Sequence, residues 1–311
     1  MKCVNCGASE LGVDRTYRYG KSGFREKFPE LDIRRCNLCG LRQVDHDVIE
    51  FDKLTAYYST GYRPGSHKKN RANSGNVKFV ARGKAFSHIA GKYVKNAKAI
   101  RSVFEFGAGL GYNLIAMKQV FPNARFFTNE LDESVDLPPY VERATITPDT
   151  FDIILLSHVV EHLLHPAHVC QSLASALKPN GLMIVEVPND TERFLNAKPE
   201  DQPHVTFFEM ATLTEFFERH LPGMEILKVT TSGPKFSATS SNASGRPTSI
   251  SSKLNRSNRT MRALFFALRK AYTPIRHIRL YKSIASELKK LLEESDDGAR
   301  AQLRLIARRR A

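Results

Sequence analysis

Apolar positions along the middle of the chain alternate between two patterns. Residues 102–106, Ser-Val-Phe-Glu-Phe, form a short run that reads as a buried strand and stops at Gly107-Ala108-Gly109-Leu110-Gly111. Helical spacing follows over Tyr112–Phe121. A second strand is expected at Ala124–Asn129, a third around Ala144–Thr147, a fourth at Phe151–Ser157 and a fifth at Gly181–Val187, the last introduced by Lys178-Pro179-Asn180-Gly181. Helices fit Pro166–Leu177 and Met210–His220, and Met224–Thr230 fits a sixth strand. Strands alternating with helices imply an α/β, Rossmann-like fold with a parallel sheet covered on both faces. No seventh strand stands out, and Lys235–Ser240 is the nearest candidate.

Outside this block the pattern changes. Residues 1–50 suggest a small N-terminal domain. Residues 51–100 suggest a helical connector on the substrate side, in which Val77–Val94 should cover the sheet. The sheet domain then spans 101–236. Residues 237–258 are rich in Ser, Asn and Thr and read as a linker, and 259–311 as a basic amphipathic helical tail, with Arg259–Lys270 and Ile275–Glu294 as helices. No apolar run approaches the roughly 18 residues of a membrane span.

Charge follows the same divisions. The net charge is +15. Residues 51–100 hold 11 basic and 1 acidic residue and residues 251–311 hold 16 and 5, whereas residues 101–250 hold 11 and 18. The positive flanks suit an anionic substrate and an anionic membrane surface or protein partner. Nucleic acid fits less well, because aromatic and glycine-rich RNA-binding patterns are absent.

Four of the five cysteines form two Cys-x-x-Cys-Gly knuckles, Cys3/Cys6 and Cys36/Cys39; Cys170 falls on an apolar helix face and reads as core. The first residues lack the apolar segment of a secretory signal, and in a reducing cytoplasm such pairs are read as metal ligands before disulfides. Two knuckles complete a tetrahedral four-thiolate set, the ligand pattern of structural Zn2+. A unit of this size is too small to be held by core burial alone, which gives the metal a folding role.

The glycine run separates two kinds of cofactor. Glu105-x-Gly107-x-Gly109-x-Gly111 lacks the G-x-G-x-x-G spacing that aims a helix at a pyrophosphate. An acid closing the strand suits a cationic ligand, and Glu130, after the second strand, suits ribose hydroxyls. Glu105–Gly111, Phe151–Ile154, His158-Val159-Val160-Glu161-His162-Leu163, Leu177–Gly181 and Glu186-Val187-Pro188-Asn189 together resemble the motif series of class I S-adenosylmethionine-dependent methyltransferases over roughly residues 100–230. The knuckles followed by Gly40-Leu41-Arg42-Gln43-Val44 resemble the zinc-binding region of sugar C-methyltransferases and their relatives. The resemblance implies S-adenosylmethionine as cofactor, with contacts from Glu105, Gly107, Gly109, Gly111 and Glu130, and from Asp149, Ser157 and His158 around adenine and sulfonium.

It also implies where the acceptor binds. His204 matches a histidine of the sugar enzymes, but Pro203 stands where they carry a glutamate. That departure speaks against carbanion-forming C-methylation and leaves a histidine base suited to a hydroxyl. Tyr57, Tyr58 and Tyr62 lie where relatives place substrate-side tyrosines, although the same cluster fits packing between domains. His158, His162, His165 and His168 lack a carboxylate or cysteine to complete a metal site and are read as ordinary for the family. Asp136-Leu137-Pro138-Pro139-Tyr140 falls between strands two and three and reads as a loop, not as the Pro-Pro-Tyr signature of base amino-methylation. The expectation is a cytoplasmic enzyme, peripheral at the inner membrane surface, that O-methylates a sugar, nucleotide sugar or other phosphorylated glycan-pathway acceptor. The alternatives are an RNA or protein methyltransferase, or a non-catalytic scaffold that keeps the fold.

Overall fold

A computed structural model describes residues 1–18, 30–61, 77–191, 195, 204–235, 282–296 and 300–311. The anticipated strands are present: β4 (Ser102–Phe106), β5 (Arg125–Thr128), β6 (Val141–Arg143), β7 (Phe151–Ser157), β8 (Leu177–Pro188) and β10 (Met224–Lys235). The third is displaced from its expected place: it runs over Val141–Arg143 and ends before Ala144–Thr147, which is not in a strand. β4, β5, β6, β7 and β8 pair in parallel. Helices α2 (Val77–Tyr93), α3 (Tyr112–Val120), α4 (Pro166–Ala176) and α5 (Met210–His220) cover them.

The two faces carry separate cores. Phe86 and Ile89 of α2 join Leu114 and Met117 of α3 against Val103, Ile153 and Ile184. Gly83 lets these helices touch, because a Cβ there would lie 2.5 Å from the Tyr112 carbonyl oxygen. On the opposite face, Cys170 and Leu173 of α4 and Leu213 and Phe216 of α5 pack on Phe104, Ile154 and Val185. Asp136–Tyr140 is a loop without strand structure.

The seventh strand is the main correction. It is not Lys235–Ser240, of which only Lys235, the end of β10, is described. Arg300–Arg309, expected as part of a helical tail, forms β12. It lies between β8 and β10 and is antiparallel to both, in an eight-stranded sheet ordered β11-β10-β12-β8-β7-β4-β5-β6, where β11 is Glu294–Ser295. The arginines mask the signal: Leu303, Leu305, Ile306 and Ala307 are a buried strand between charged residues. Those charges have internal partners. Arg304 is fully buried and donates to Glu186 from Nη2 at 2.6 Å and to the Leu291 carbonyl at 3.2 Å. Arg308 donates to the Tyr93 carbonyl and Arg309 to Asp149.

Within the rest of the expected tail, residues 282–292 are helical (α6), and Ile284, Leu288, Leu291 and Leu292 pack on Ala81 and Ala85 of α2. The expected linker 237–258 and helix Arg259–Lys270 lie outside the described residues. No helix among the described residues is long and apolar enough to cross a membrane.

The N-terminal region is not a detached unit. β1 (Leu11–Arg18), β2 (Glu30–Cys36) and β3 (Arg42–Val44) form an antiparallel sheet whose fourth strand, β9 (Thr206–Phe207), comes from the segment after β8. Arg42 pairs with Phe207 and Gln43 with Thr206, and the Val44 amide donates to the Val205 carbonyl at 3.0 Å.

Breaking a fully buried ion pair on one side leaves an uncompensated charge, which costs about 3–5 kcal/mol. Arg304→Met is therefore expected to lower the unfolding free energy by about that amount in urea titrations, and Glu186→Gln/Arg304→Met to recover most of the loss. Burial would raise Glu186, but the charge of Arg304, the bond to His158 and the charge of Arg82 outweigh it and hold Glu186 well below the usual carboxylate range. Its stabilisation is thus present above the unfolded-state pKa and lost as pH falls below it. Glu186→Gln should flatten that acid-side dependence.

Candidate active site

The glycine turn follows β4 at the carboxyl end of the parallel strands, where ligands of open α/β sheets bind. Gly107, Gly109 and Gly111 all have positive φ. Gly111, at 73°, is also pinned from outside, since a Cβ there would lie 2.8 Å from Pro138 Cδ. Side chains at the end of β5 take up the turn's amides. Gly107 donates to Asn129 Oδ1 at 3.1 Å, Ala108 to Thr128 Oγ1 at 3.3 Å and Gly109 to Glu130 Oε2 at 2.6 Å. Thr128 and Asn129 were missed in the sequence, where only the acid of the Thr-Asn-Glu run gives a recognisable signal. The same holds for Asn113, whose Nδ2 donates to Glu105 Oε1 at 2.5 Å.

Glu105 shows that a cationic ligand fits this turn. Its Oε2 is buried without a hydrogen-bond partner. Burial pushes its pKa up to about 8, with the charge of Glu130 adding to the rise and Asn113 opposing it. A ligand ammonium or sulfonium would supply the missing countercharge.

Ser157 closes β7, half-buried, in register with Glu186 of β8. His158 follows with φ 55°, and its amide donates to the Glu186 carbonyl at 2.8 Å. Its Nδ1 lies 3.3 Å from Glu161 and its Nε2 3.6 Å from Glu186. Burial and Arg82 would lower the His158 pKa, but these two carboxylates raise it. Asp149 does not join this group. It precedes β7, at the opposite end of the strands from the turn, and pairs with Arg309 at 2.6 Å.

Around the single 3-10 turn Val160–His162, a second cluster collects residues far apart in sequence. The Tyr58 hydroxyl is 2.9 Å from His162 Nδ1, and the His162 and His204 ring centroids are 4.9 Å apart. Glu161 is fully buried beside them. Burial would raise it, but the neighbouring His158, His162 and His204 pull it down to about 2. Val159 lies against Gly107, so this cluster borders the glycine turn. Tyr57 lies behind Tyr58, with ring centroids 5.4 Å apart. Neighbouring residues of a helical segment face about 100° apart, and Tyr57 is buried among Ile33, Val44, Leu54, Leu164 and Phe207 as a packing residue. Tyr62, with the basic residues 63–71, lies outside the described residues.

The four knuckle cysteines converge. Cys3 and Cys39 sulfurs are 3.5 Å apart, as are those of Cys6 and Cys36, and all four lie within 4.8 Å of one another. Gly7 and Gly40, each at φ 75°, let the Gly7 amide donate back to the Cys3 carbonyl and the Gly40 amide to the Cys36 carbonyl. This donor set fits a tetrahedral, thiolate-preferring ion.

Residues 70–220, which contain the glycine turn and its two acids, match the family model described as a methyltransferase domain. The chain thus carries a methyltransferase domain over residues 70–220. Among solved structures it is similar to the plantazolicin methyltransferase BpumL in complex with SAH, with 13% identity over 83% of this chain and 94% of that one and a TM-score of 0.48. It is also similar to a chain from the complex between the Haloferax volcanii Trm112 methyltransferase activator and the putative methyltransferase (12% identity, 83% and 98% coverage, TM-score 0.45). A third is a possible histamine N-methyltransferase from Thermotoga maritima (16%, 74% and 92%, 0.43). No curated protein matches by sequence.

A cationic ligand beside Glu105 favours its ionised form. Cofactor binding near pH 7 should therefore release a proton from Glu105, and affinity should rise with pH until the carboxyl ionises unaided, near pH 8. Calorimetry in buffers of different ionisation enthalpy should show Glu105→Gln removing that component of the proton release.

Proposed function

We propose that this methyltransferase transfers the methyl group to a hydroxyl of a sugar, nucleotide sugar or other phosphorylated glycan-pathway acceptor. The observation that carries this reading is the Tyr58–His162–His204 cluster, set with Glu161 beside the glycine turn. S-adenosylmethionine supplies an electrophilic methyl as its sulfonium. Glu105 would hold the cationic end of that cofactor and Glu130 its ribose, with Gly107, Gly109 and Gly111 allowing close backbone approach, and Ser157 and His158 forming the next wall.

A hydroxyl becomes a competent nucleophile as its proton leaves, and a positioned side chain contributes typically about 10²–10⁴-fold to such a step. His204, with His162 and Glu161 behind it, is the group proposed to promote that loss. Imidazoles beside a buried carboxylate can do so directly or by holding a cation that acidifies the hydroxyl. Tyr58 orients His162 through the 2.9 Å contact. The excess of basic residues over 51–100 suits a phosphorylated acceptor, and the basic residues from 259 onward suit an anionic membrane surface or protein partner at the cytoplasmic side.

Cys3, Cys6, Cys36 and Cys39 are proposed to hold structural Zn2+. Because β9 belongs to the same small sheet, the metal would brace the strand next to His204.

Incubation with S-adenosylmethionine and a panel of nucleotide sugars should yield a product heavier by one methyl group in mass spectrometry. Methylation confined to added protein or RNA would overturn the acceptor assignment. His204→Ala should lower kcat at least about 10²-fold with little change in cofactor affinity, and undiminished turnover would remove His204 from the reaction. Cys39→Ser should lose the thiolate-bound zinc in metal analysis and unfold at lower temperature, since a structural zinc site contributes directly to folding.

A further inference from the structure

The geometry points to a second metal site, formed by Glu161, His162 and His204, that takes a divalent first-row transition-metal ion on the acceptor side of the active site. It deepens the proposed acceptor chemistry and rests on that reading for its role, though not for its existence. One ligand atom from each of the three residues lies within 4.8 Å of the others, and all three residues are buried. Two imidazoles and one carboxylate with open positions remaining is a recurring catalytic donor set for Zn2+ and related ions.

Two further observations favour a bound cation at this point. Glu161 is fully buried, yet neither of its oxygens has a hydrogen-bond partner. Its polar neighbours are His158 Nδ1 at 3.3 Å and His162 Nε2 at 3.8 Å. A buried carboxylate with unused lone pairs beside two imidazoles offers the oxygen and nitrogen donors that a divalent ion takes. His162 is also braced as ligating histidines are. Tyr58 engages Nδ1 at 2.9 Å and turns Nε2 toward Glu161.

The sequence hides this set because its histidines at helical spacing, His158, His162, His165 and His168, are the wrong group. Chain reversal at Val160–His162 and the β3–β9 pairing that fixes Val205 bring His204 in from another segment. With an ion bound, His204 would act as a ligand and not as a free base, and an acceptor hydroxyl at an open position would become acidic enough to lose its proton to solvent.

The test uses the full chain loaded with Co2+, followed by metal counting and absorption spectroscopy. The expected result is about two ions per chain, one with thiolate-to-cobalt charge-transfer bands and one without. Glu161→Gln and His204→Ala should each hold about one ion fewer with the thiolate bands unchanged, and Cys39→Ser should lose those bands. Tyr58→Phe should weaken the second ion about 10–100-fold. Wild-type protein that holds only the thiolate-bound ion, or Glu161 and His204 variants that hold as much metal as wild type, would overturn the site. Far-ultraviolet circular dichroism identifies a variant that fails to fold, and the remaining one then decides. Loss of turnover in His204→Ala with unchanged metal content sinks the metal site and leaves the acceptor assignment standing. Loss of the second ion from a chain that methylates no sugar does the reverse.

Discussion

The Glu186–Arg304 pair is the interaction on which the rest of the architecture depends. It joins the carboxyl end of β8 to the strand inserted beside it, and both side chains are completely withdrawn from water. A pair that deep is tolerated only when the remaining donors and acceptors are also satisfied. Here Arg304 also caps the Leu291 carbonyl at the end of α6, and Arg82 of α2 reaches the other Glu186 oxygen at 3.2 Å. Four elements from separate parts of the chain are thereby fixed to one carboxylate. His158 is the fifth participant, 3.6 Å away, so the group that holds the last strand in place also sets the electrostatics at the edge of the active site.

A second junction has the same logic with backbone in place of charge. The small N-terminal sheet is completed by Thr206–Phe207, directly after His204. Gln43, fully buried, accepts from the Val4 amide at 2.8 Å and donates to the Lys2 carbonyl at 3.1 Å, tying the first knuckle to β3. Arg42 then reaches Asp14 on one side and Glu209, at the start of α5, on the other. The position of His204 relative to His162 therefore depends on the cysteine-bearing sheet. His46 reinforces the junction, with Nδ1 2.9 Å from the Leu164 carbonyl and Nε2 3.0 Å from the Val205 carbonyl.

The elements legible in the sequence were those whose own side chains are buried on a regular period. Phe151–Ser157 and Met210–His220 match the expected bounds because each carries its apolar signal locally. The glycine turn was legible for a related reason: alternate residues with positive φ leave a compositional mark that does not depend on neighbours. Its anchors Thr128, Asn129 and Asn113 were not, since polar side chains facing a turn look in sequence like any exposed loop residue. Asp149 follows from the resemblance alone, and the direction of β7 puts it at the far end of the strands, paired with Arg309.

What the sequence determined, then, was the class of sheet, the glycine turn with its two acids, and two cysteine knuckles, all encoded in patterns a few residues long. Tertiary structure alone decided the fate of the basic C-terminus and the membership of the histidine cluster. Arg304 reads as a surface charge until Glu186, more than a hundred residues away, neutralises it in the interior. His204 gains its partners only when a two-residue strand pairs with the N-terminal sheet. Charge and imidazole carry no periodic signature of burial. Their roles follow from their partners, and long-range packing supplies those.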